Sequence, residues 1–158
     1  MNTPIEQLIK QFNMIPHPEG GFFVETYRSE LLVADSQKCL ATVIYFLLPS
    51  GKKSSWHRIT TDEFWFYHGG SPIIVHEITP DGAYKNTVVG MDVSKGQQPQ
   101  YLVPGGAIFG ASVLEENNYS LVSCVVTPGF DFEDFELFKK EELVEQFPQL
   151  VTEIEQLF

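Results

Sequence analysis

The sequence predicts an all-β barrel or sandwich carrying short helices at both ends, on three observations. Short strand-like runs recur through the middle of the chain: FFVETYR, ATVIYFLL, EFWFYHG, PIIVHEI, YKNTVVG, QYLV, AIFGASVL and YSLVSCVVT. Turn residues punctuate them, with Pro80-Asp81-Gly82 as a hairpin turn and Asn117-Asn118 as another. The runs are too short and too closely spaced for alternating β-α units, so closed or stacked sheets remain.

Each element has a local reason. Thr3-Pro4-Ile5-Glu6 starts a helix, with Thr3 as N-cap, Pro4 at the first position and Glu6 completing a capping box. Ile5, Leu8, Ile9 and Phe12 fall on one face of it. His17-Pro18-Glu19-Gly20-Gly21 breaks the helix, and the pattern turns extended from Phe22. ATVIYFLL is apolar on both parities, as a central strand covered on both faces would be. After Gly129 the alternating Phe130, Phe132 and Phe135 form a last apolar strip, and two short helices flank Pro148. No repeat or linker interrupts the chain, which reads as one domain over 1–158.

Composition excludes several classes. Ten basic and twenty-one acidic residues give a net charge of −11, which repels phosphate backbones, so no nucleic-acid partner is expected. No apolar run reaches the ~18 residues of a membrane span. The opening MNTPIEQLIK has neither the basic start nor the apolar block of a secretory signal, and Cys39 and Cys124 are too few for a disulfide framework. A cytoplasmic protein is the expectation.

The functional signal lies in GKKSSWHRITTDEFWFYHGG, residues 51–70, which spaces Gly51, His57, Glu63 and Gly70 as G-x5-H-x5-E-x6-G. Strand geometry puts Glu63, Trp65 and Tyr67 on one face and Phe64, Phe66 and His68 on the other. His57 and Ile59 join the Glu63 face if the preceding strand keeps parity. A barrel interior built only for stability does not carry an unpaired glutamate, because burying a lone charge is costly. Glu63 therefore needs His57, an arginine, a metal or a ligand.

That spacing resembles the first motif of the cupins, small β-barrels that hold a metal or a small molecule. The usual second histidine of the motif is Ile59 here. In the second motif Pro104 and Gly106 fit, while Phe109 holds the histidine position, Val113 the last position and Gln98 that of the first glycine. Two of four usual ligands thus lack a donor atom, and zinc or iron sites want three or more. No cofactor is expected; whether a metal binds through other histidines, such as His17, His68 or His76, stays open.

Four blocks, HPEGGFFVETYRS, WHRITTDEFW, PQYLVPGG and VVTPGFDFEDFEL, resemble the fifth cupin group, a subfamily of unknown function. The resemblance implies a cupin jelly-roll barrel with short N- and C-terminal helices, assembled as a homodimer. A looser resemblance reaches the metal-independent sugar-nucleotide 3,5-epimerases of the dTDP-rhamnose pathway, which share a GxFxE-like strand comparable to Gly21–Glu25. It implies His57 as base, Glu63 orienting it, and Tyr27 or Tyr67 as acid. Glu25, Arg28, Trp65, Tyr67, His76 and Phe109 are the residues expected to face a ligand. Arg28 suits bidentate contact with an anion, or a surface ion pair; Trp65 suits stacking, or core packing. His17 is read as holding a loop and Cys124 as buried and inert.

Three functions follow: a metal-independent isomerase or epimerase acting on a small polar, sugar-like molecule; a non-catalytic protein binding a sugar- or nucleotide-like ligand in the same cavity; or a metal-dependent oxygenase or isomerase, ranked last because of Ile59 and Phe109.

Overall fold

The computed structural model describes residues 3–158. Helix α1 (Pro4–Phe12) begins as the sequence predicts: Thr3 Oγ1 accepts the Glu6 amide, and Glu6 accepts the Thr3 amide at 2.8 Å. It leads through β1 (Ile15–Pro16) into β2 (Phe22–Arg28) and β3 (Thr42–Pro49). There follow β4 (Lys53–Arg58), β5 (Asp62–Gly70), β6 (Ile73–Ile78), β7 (Tyr84–Val89), β8 (Gln100–Val103), β9 (Ile108–Val113) and β10 (Tyr119–Thr127). The chain closes with β11 (Glu136–Leu137), α2 (Lys140–Gln146) and α3 (Val151–Glu155), the last two separated by a 3₁₀ turn at Pro148–Leu150.

The strands form two antiparallel sheets, ordered β1-β2-β3-β10-β5-β8 and β11-β4-β9-β6-β7. Every strand-like run read from the sequence is a strand. Three were not among them: β1 and β11, at two residues each, and β4, whose Lys-Ser-Ser start is too polar to announce itself. The Thr79–Ala83 turn joins β6 to β7, with Gly82 at φ 85°.

The inner faces of the two sheets share a core of Phe46, Leu48, Ile59, Trp65, Val75, Phe109 and Val122, among others. A second core lies outside the five-stranded sheet, where Trp56, Ile78 and Ile108 are covered by Leu143, Leu150, Ile154 and Leu157 of the C-terminal segment. Trp56 Nε1–H donates to the Ile154 carbonyl at 2.9 Å, which ties this layer to β4. The far side of β3 is covered too: Leu47 is fully buried and Phe12 of α1 packs on Tyr45 with ring centroids 5.1 Å apart.

The Phe130–Phe135 strip departs from the extended expectation. Residues Phe132–Asp134 make a 3₁₀ turn, and Phe130, Phe132 and Phe135 cluster edge to face. Pairs of this kind hold a loop without a ladder of backbone bonds. Phe130 N–H donates to Thr42 Oγ1 at 3.0 Å, and Lys38 pairs with Asp134 at 2.6 Å, so the strip lies across one end of the sheets.

Candidate functional site

At that end a cavity of about 70 Å³ lies between the sheets, lined by polar His17, Glu19, Glu25, Arg28, His57 and Glu63. Its apolar wall is Phe23, Ile44, Ile59, Val126, Phe130 and Phe132. The period-2 reading of His57, Ile59 and Glu63 as one face holds.

The partner of His57 is Glu19, which the sequence reading did not single out. His57 Nε2 lies 2.9 Å from Glu19 Oε2, with both side chains buried. His57 Nδ1–H donates to the Ser55 carbonyl at 2.7 Å. A carbonyl and a carboxylate both only accept, so both ring nitrogens carry hydrogen and the ring is an imidazolium. Burial opposes that charge, but Glu19 outweighs it and holds the His57 pKa above its ordinary value. Reciprocally, burial pushes Glu19 up, while the His57 charge and hydrogen bond bring it below the usual carboxylate range.

Glu19 reaches His57 because of the turn that carries it. Ser55 N–H donates to the Glu19 carbonyl at 2.7 Å, pinning the loop to β4. Gly20 has φ 113°, and a Cβ there would sit 2.1 Å from the Lys53 carbonyl oxygen, so only glycine permits the approach. His17, expected to hold a loop, does so and also lines the cavity: its Nδ1 accepts the Glu19 amide at 3.1 Å. Burial lowers its pKa, and Nδ1 has no hydrogen to offer Glu19, so His17 is neutral with its proton on Nε2.

Glu63 is the reverse case. Its Oε2 accepts Trp65 Nε1–H at 3.2 Å, a bond along its own strand. Burial and the neighbouring Glu19 carboxylate push its pKa up to about 8, and the more modest pull of His57 does not restore it. Glu63 is therefore protonated at neutral pH.

Glu25 and Arg28 form a bidentate pair at the rim, both nitrogen–oxygen distances being 2.9 Å. Arg28 also donates to the Phe130 carbonyl at 3.1 Å, joining β2 to the phenylalanine strip. Both readings of Arg28 meet here: it grips a carboxylate in two-pronged fashion, and that carboxylate is a half-exposed neighbour.

Five residues expected to face a ligand do not line the cavity. Tyr27 is 54% exposed outside the cavity, because the register of β2 on β3 shifts between Glu25 and Tyr27. The extra residue of this bulge puts Arg28 on the inner face in the place that strict alternation gives to Tyr27. Trp65 is buried at 1% exposure, edge to face with Phe46 and Phe109, so it has no free face for stacking. Tyr67 donates its hydroxyl to the Gly70 carbonyl at 2.5 Å. His76 points into the outer core, bonded to Tyr84 Oη and Ser112 Oγ at 2.8 Å each. Phe109 backs the site, its ring centroid 4.2 Å from that of His57. Cys124 lines the cavity wall, with burial holding its thiol well above the ordinary range.

Among the described residues no three His, Cys, Asp or Glu side chains are disposed to hold a metal ion. The side chains present do not fit one: His57 spends both nitrogens on Ser55 and Glu19, and Ile59 and Phe109 offer no donor.

The family model described as Cupin superfamily (DUF985) matches residues 6–138. The chain belongs to the cupin superfamily. An uncharacterized Saccharomyces cerevisiae protein is 35% identical over 158 residues, covering 89% of this chain and 78% of that one. Solved structures of a hypothetical Leishmania major protein and of a Shewanella oneidensis protein superpose with TM-scores of 0.92 each, at 41% and 40% identity. In both cases 99% of this chain and 98% of the other are covered. Bacillus subtilis oxalate decarboxylase superposes with a TM-score of 0.60 at 16% identity, over 95% of this chain and 38% of that one. At that identity the likeness speaks for the fold alone, and the architecture is a cupin jelly roll with terminal helices. No helix of the described residues is long and apolar enough to cross a membrane.

Proposed function

We propose that the cavity binds a small polar molecule and moves a proton on it, the chemistry of a metal-independent isomerase or epimerase. The observation that supports this is the pair of carboxyls set apart by their surroundings, Glu19 held ionised and Glu63 held neutral, in one cavity. A carboxyl whose pKa is about 8 exchanges protons close to physiological pH, as general acid–base catalysis requires. His57 is not the base, because both its ring nitrogens carry hydrogen; it supplies fixed positive charge instead. Glu63 takes the role that the epimerase likeness assigned to His57: once it has given up its own proton, its carboxylate takes one from a carbon beside a carbonyl and returns it to the other carbon or face. Proton NMR in D₂O against aldoses, ketoses and 2-hydroxy or 2-oxo acids tests this. Wild-type protein should place deuterium in one class, and Glu63→Gln should not.

A second reading, ligand binding without catalysis, draws on the absence of both Tyr27 and Tyr67, the two acids the epimerase likeness offered, from the cavity lining. A ligand that raises the melting temperature without taking up deuterium would select it.

We also propose that two copies pair through the outer face of the six-stranded sheet. Phe64 and Phe66 stack there with centroids 6.2 Å apart, beside half-buried Val125 and exposed Leu102 and Tyr27. On so acidic a chain, an apolar patch of this kind fits a self-complementary interface. Light scattering should give twice the mass of the 17.9 kDa chain; a monomer mass removes the proposal. The free thiols Cys39 and Cys124 agree with a reducing, cytoplasmic setting.

A further inference from the structure

Counting charges around the cavity leaves one carboxyl without a counterion. Of its three carboxyls, Glu19 is paired with His57 and Glu25 with Arg28, while the one hydrogen bond of Glu63 among the described residues comes from the neutral Trp65 indole. His17 brings no charge, since its Nδ1 lone pair is spent on the Glu19 amide. Glu63 is nevertheless 91% buried and borders the cavity. The site thus holds no counterion for Glu63 once that carboxyl ionises.

The missing charge is not a metal ion, given the side chains present. It is not supplied by the chain either: Arg28 is committed to Glu25 and the Phe130 carbonyl. The apolar part of the cavity lining that Glu63 shares is aromatic and aliphatic: Phe23, Phe130 and Phe132 with Ile44 and Ile59. Carboxylates backed by aromatic rings receive an organic cation, because ring faces attract positive charge while tolerating its alkyl groups. An anionic ligand would instead meet Glu19 and have to take Arg28 from Glu25.

We propose that the ligand of this cavity carries an ammonium group, seated against Glu63 within the phenylalanine wall. This rests on the reading of the cavity as the binding site and names its ligand class. Glu63 is neutral in the free protein, with a pKa of about 8, so seating the ammonium expels its proton and leaves the carboxylate that proton abstraction needs. A positively charged ligand therefore arms the base it is to react with. Around Glu63 stand Glu19 and His17 from the N-terminal turn, His57 from β4, Cys124 from β10, and Glu25 and Arg28 from β2. Glu19 is held ionised and Cys124 protonated, which leaves His57 as the other group able to change charge on the alkaline side.

Calorimetric titration of the intact protein with matched probes tests the inference: ethanolamine against ethylene glycol, and glucosamine against glucose. At pH 7 the ammonium member should bind at least about tenfold tighter, releasing close to one proton, read from the difference in heat between cacodylate and MOPS buffers. The affinity of ethanolamine, whose amine stays protonated through this range, should climb about tenfold per pH unit towards pH 8 and then level off. Glu63→Gln should weaken it by about tenfold or more and abolish the proton release. Equal binding of the neutral members, no binding of either ammonium probe, or a pH dependence that survives Glu63→Gln and so belongs to His57 each overturns the ammonium assignment. The first of these leaves the cavity as a binding site. Ammonium binding that survives Ile59→Trp, which fills the cavity, would instead place the site elsewhere and remove both proposals.

Discussion

His57 and His76 are both buried, at 2% and 4% exposure, and they end in opposite protonation states. Burial drives each towards the neutral ring. At His57 the Glu19 carboxylate reverses that drive, whereas His76 has only the Tyr84 and Ser112 hydroxyls and falls to about 4. A hydroxyl gives or takes a hydrogen as needed, so it adapts to a neutral imidazole; a carboxylate cannot. The partner, not the depth, decides what a buried histidine becomes. One of these sites also borders a cavity with an odd carboxyl, and the other is closed packing beside Trp56.

The comparison breaks most forcefully at Glu19. Glu19→Gln should turn His57 into a second His76, its pKa dropping below the ordinary histidine value. Stripping one partner from a buried ion pair costs about 3–5 kcal/mol. The sign follows from both shifts: Glu19 is lowered from 4.5 and His57 raised from 6.5, so the pair contributes fully between those values. Its contribution fades as acid titrates Glu19 and as base titrates His57. Urea unfolding at pH 6 measures the loss, and proton NMR of the imidazole measures the pKa. A variant whose His57 still titrates above 6.5 would show that Glu19 is not what charges it.

How much of this contrast the sequence discloses depends on range. The strands, the capping box, the hairpin and the shared face of His57, Ile59 and Glu63 are local, and alternation or turn chemistry marks each of them. The Glu19–His57 pair joins residues 38 positions apart through a loop laid against β4, and no periodicity encodes that. A hint was present in Gly20-Gly21, since adjacent glycines beside an acid mark a close backbone approach as readily as a helix break. The misplacement of Tyr27 has another origin: the β2 bulge contains no glycine to announce it. Trp65 is ambiguous in the sequence because an aromatic on the inner face stacks or packs according to where the cavity ends, and here Glu63 lines the cavity while Trp65 does not.

The second prediction sharpens the difference between the open site and the closed one. Glu63 is raised from 4.5 to about 8, so between these values folding must place a proton on it, and stability falls as pH rises. At ~1.4 kcal/mol per pH unit, the penalty reaches roughly 3 kcal/mol by pH 7. Glu63→Gln keeps the shape and can still accept the Trp65 N–H, without the penalty. It should therefore stabilise the protein by up to about 3 kcal/mol at pH 7 and by almost nothing at pH 4. A structural glutamate would lose stability on this change; a functional one held in an adverse setting gains it, the usual trade between stability and activity. Denaturant titrations at the two pH values decide between them, and a destabilised variant at pH 7 would mean that Glu63 is ionised and satisfied.

The smallest effect belongs to His76. Replacing it by Leu leaves two hydroxyls without their shared partner, of which Tyr84 keeps the Asn86 amide at 3.4 Å, so the loss at pH 7 is about 2 kcal/mol. The pH dependence carries more information than that loss. With a folded pKa of about 4 against 6.5, the unfolded chain takes up the proton first, and wild-type stability drains away as pH falls between those values. His76→Leu has no such proton to lose, so its deficit should shrink steadily on acidification and approach zero near pH 5. A deficit that grows on acidification would mean His76 is charged in the native state, and the two histidines would then be alike.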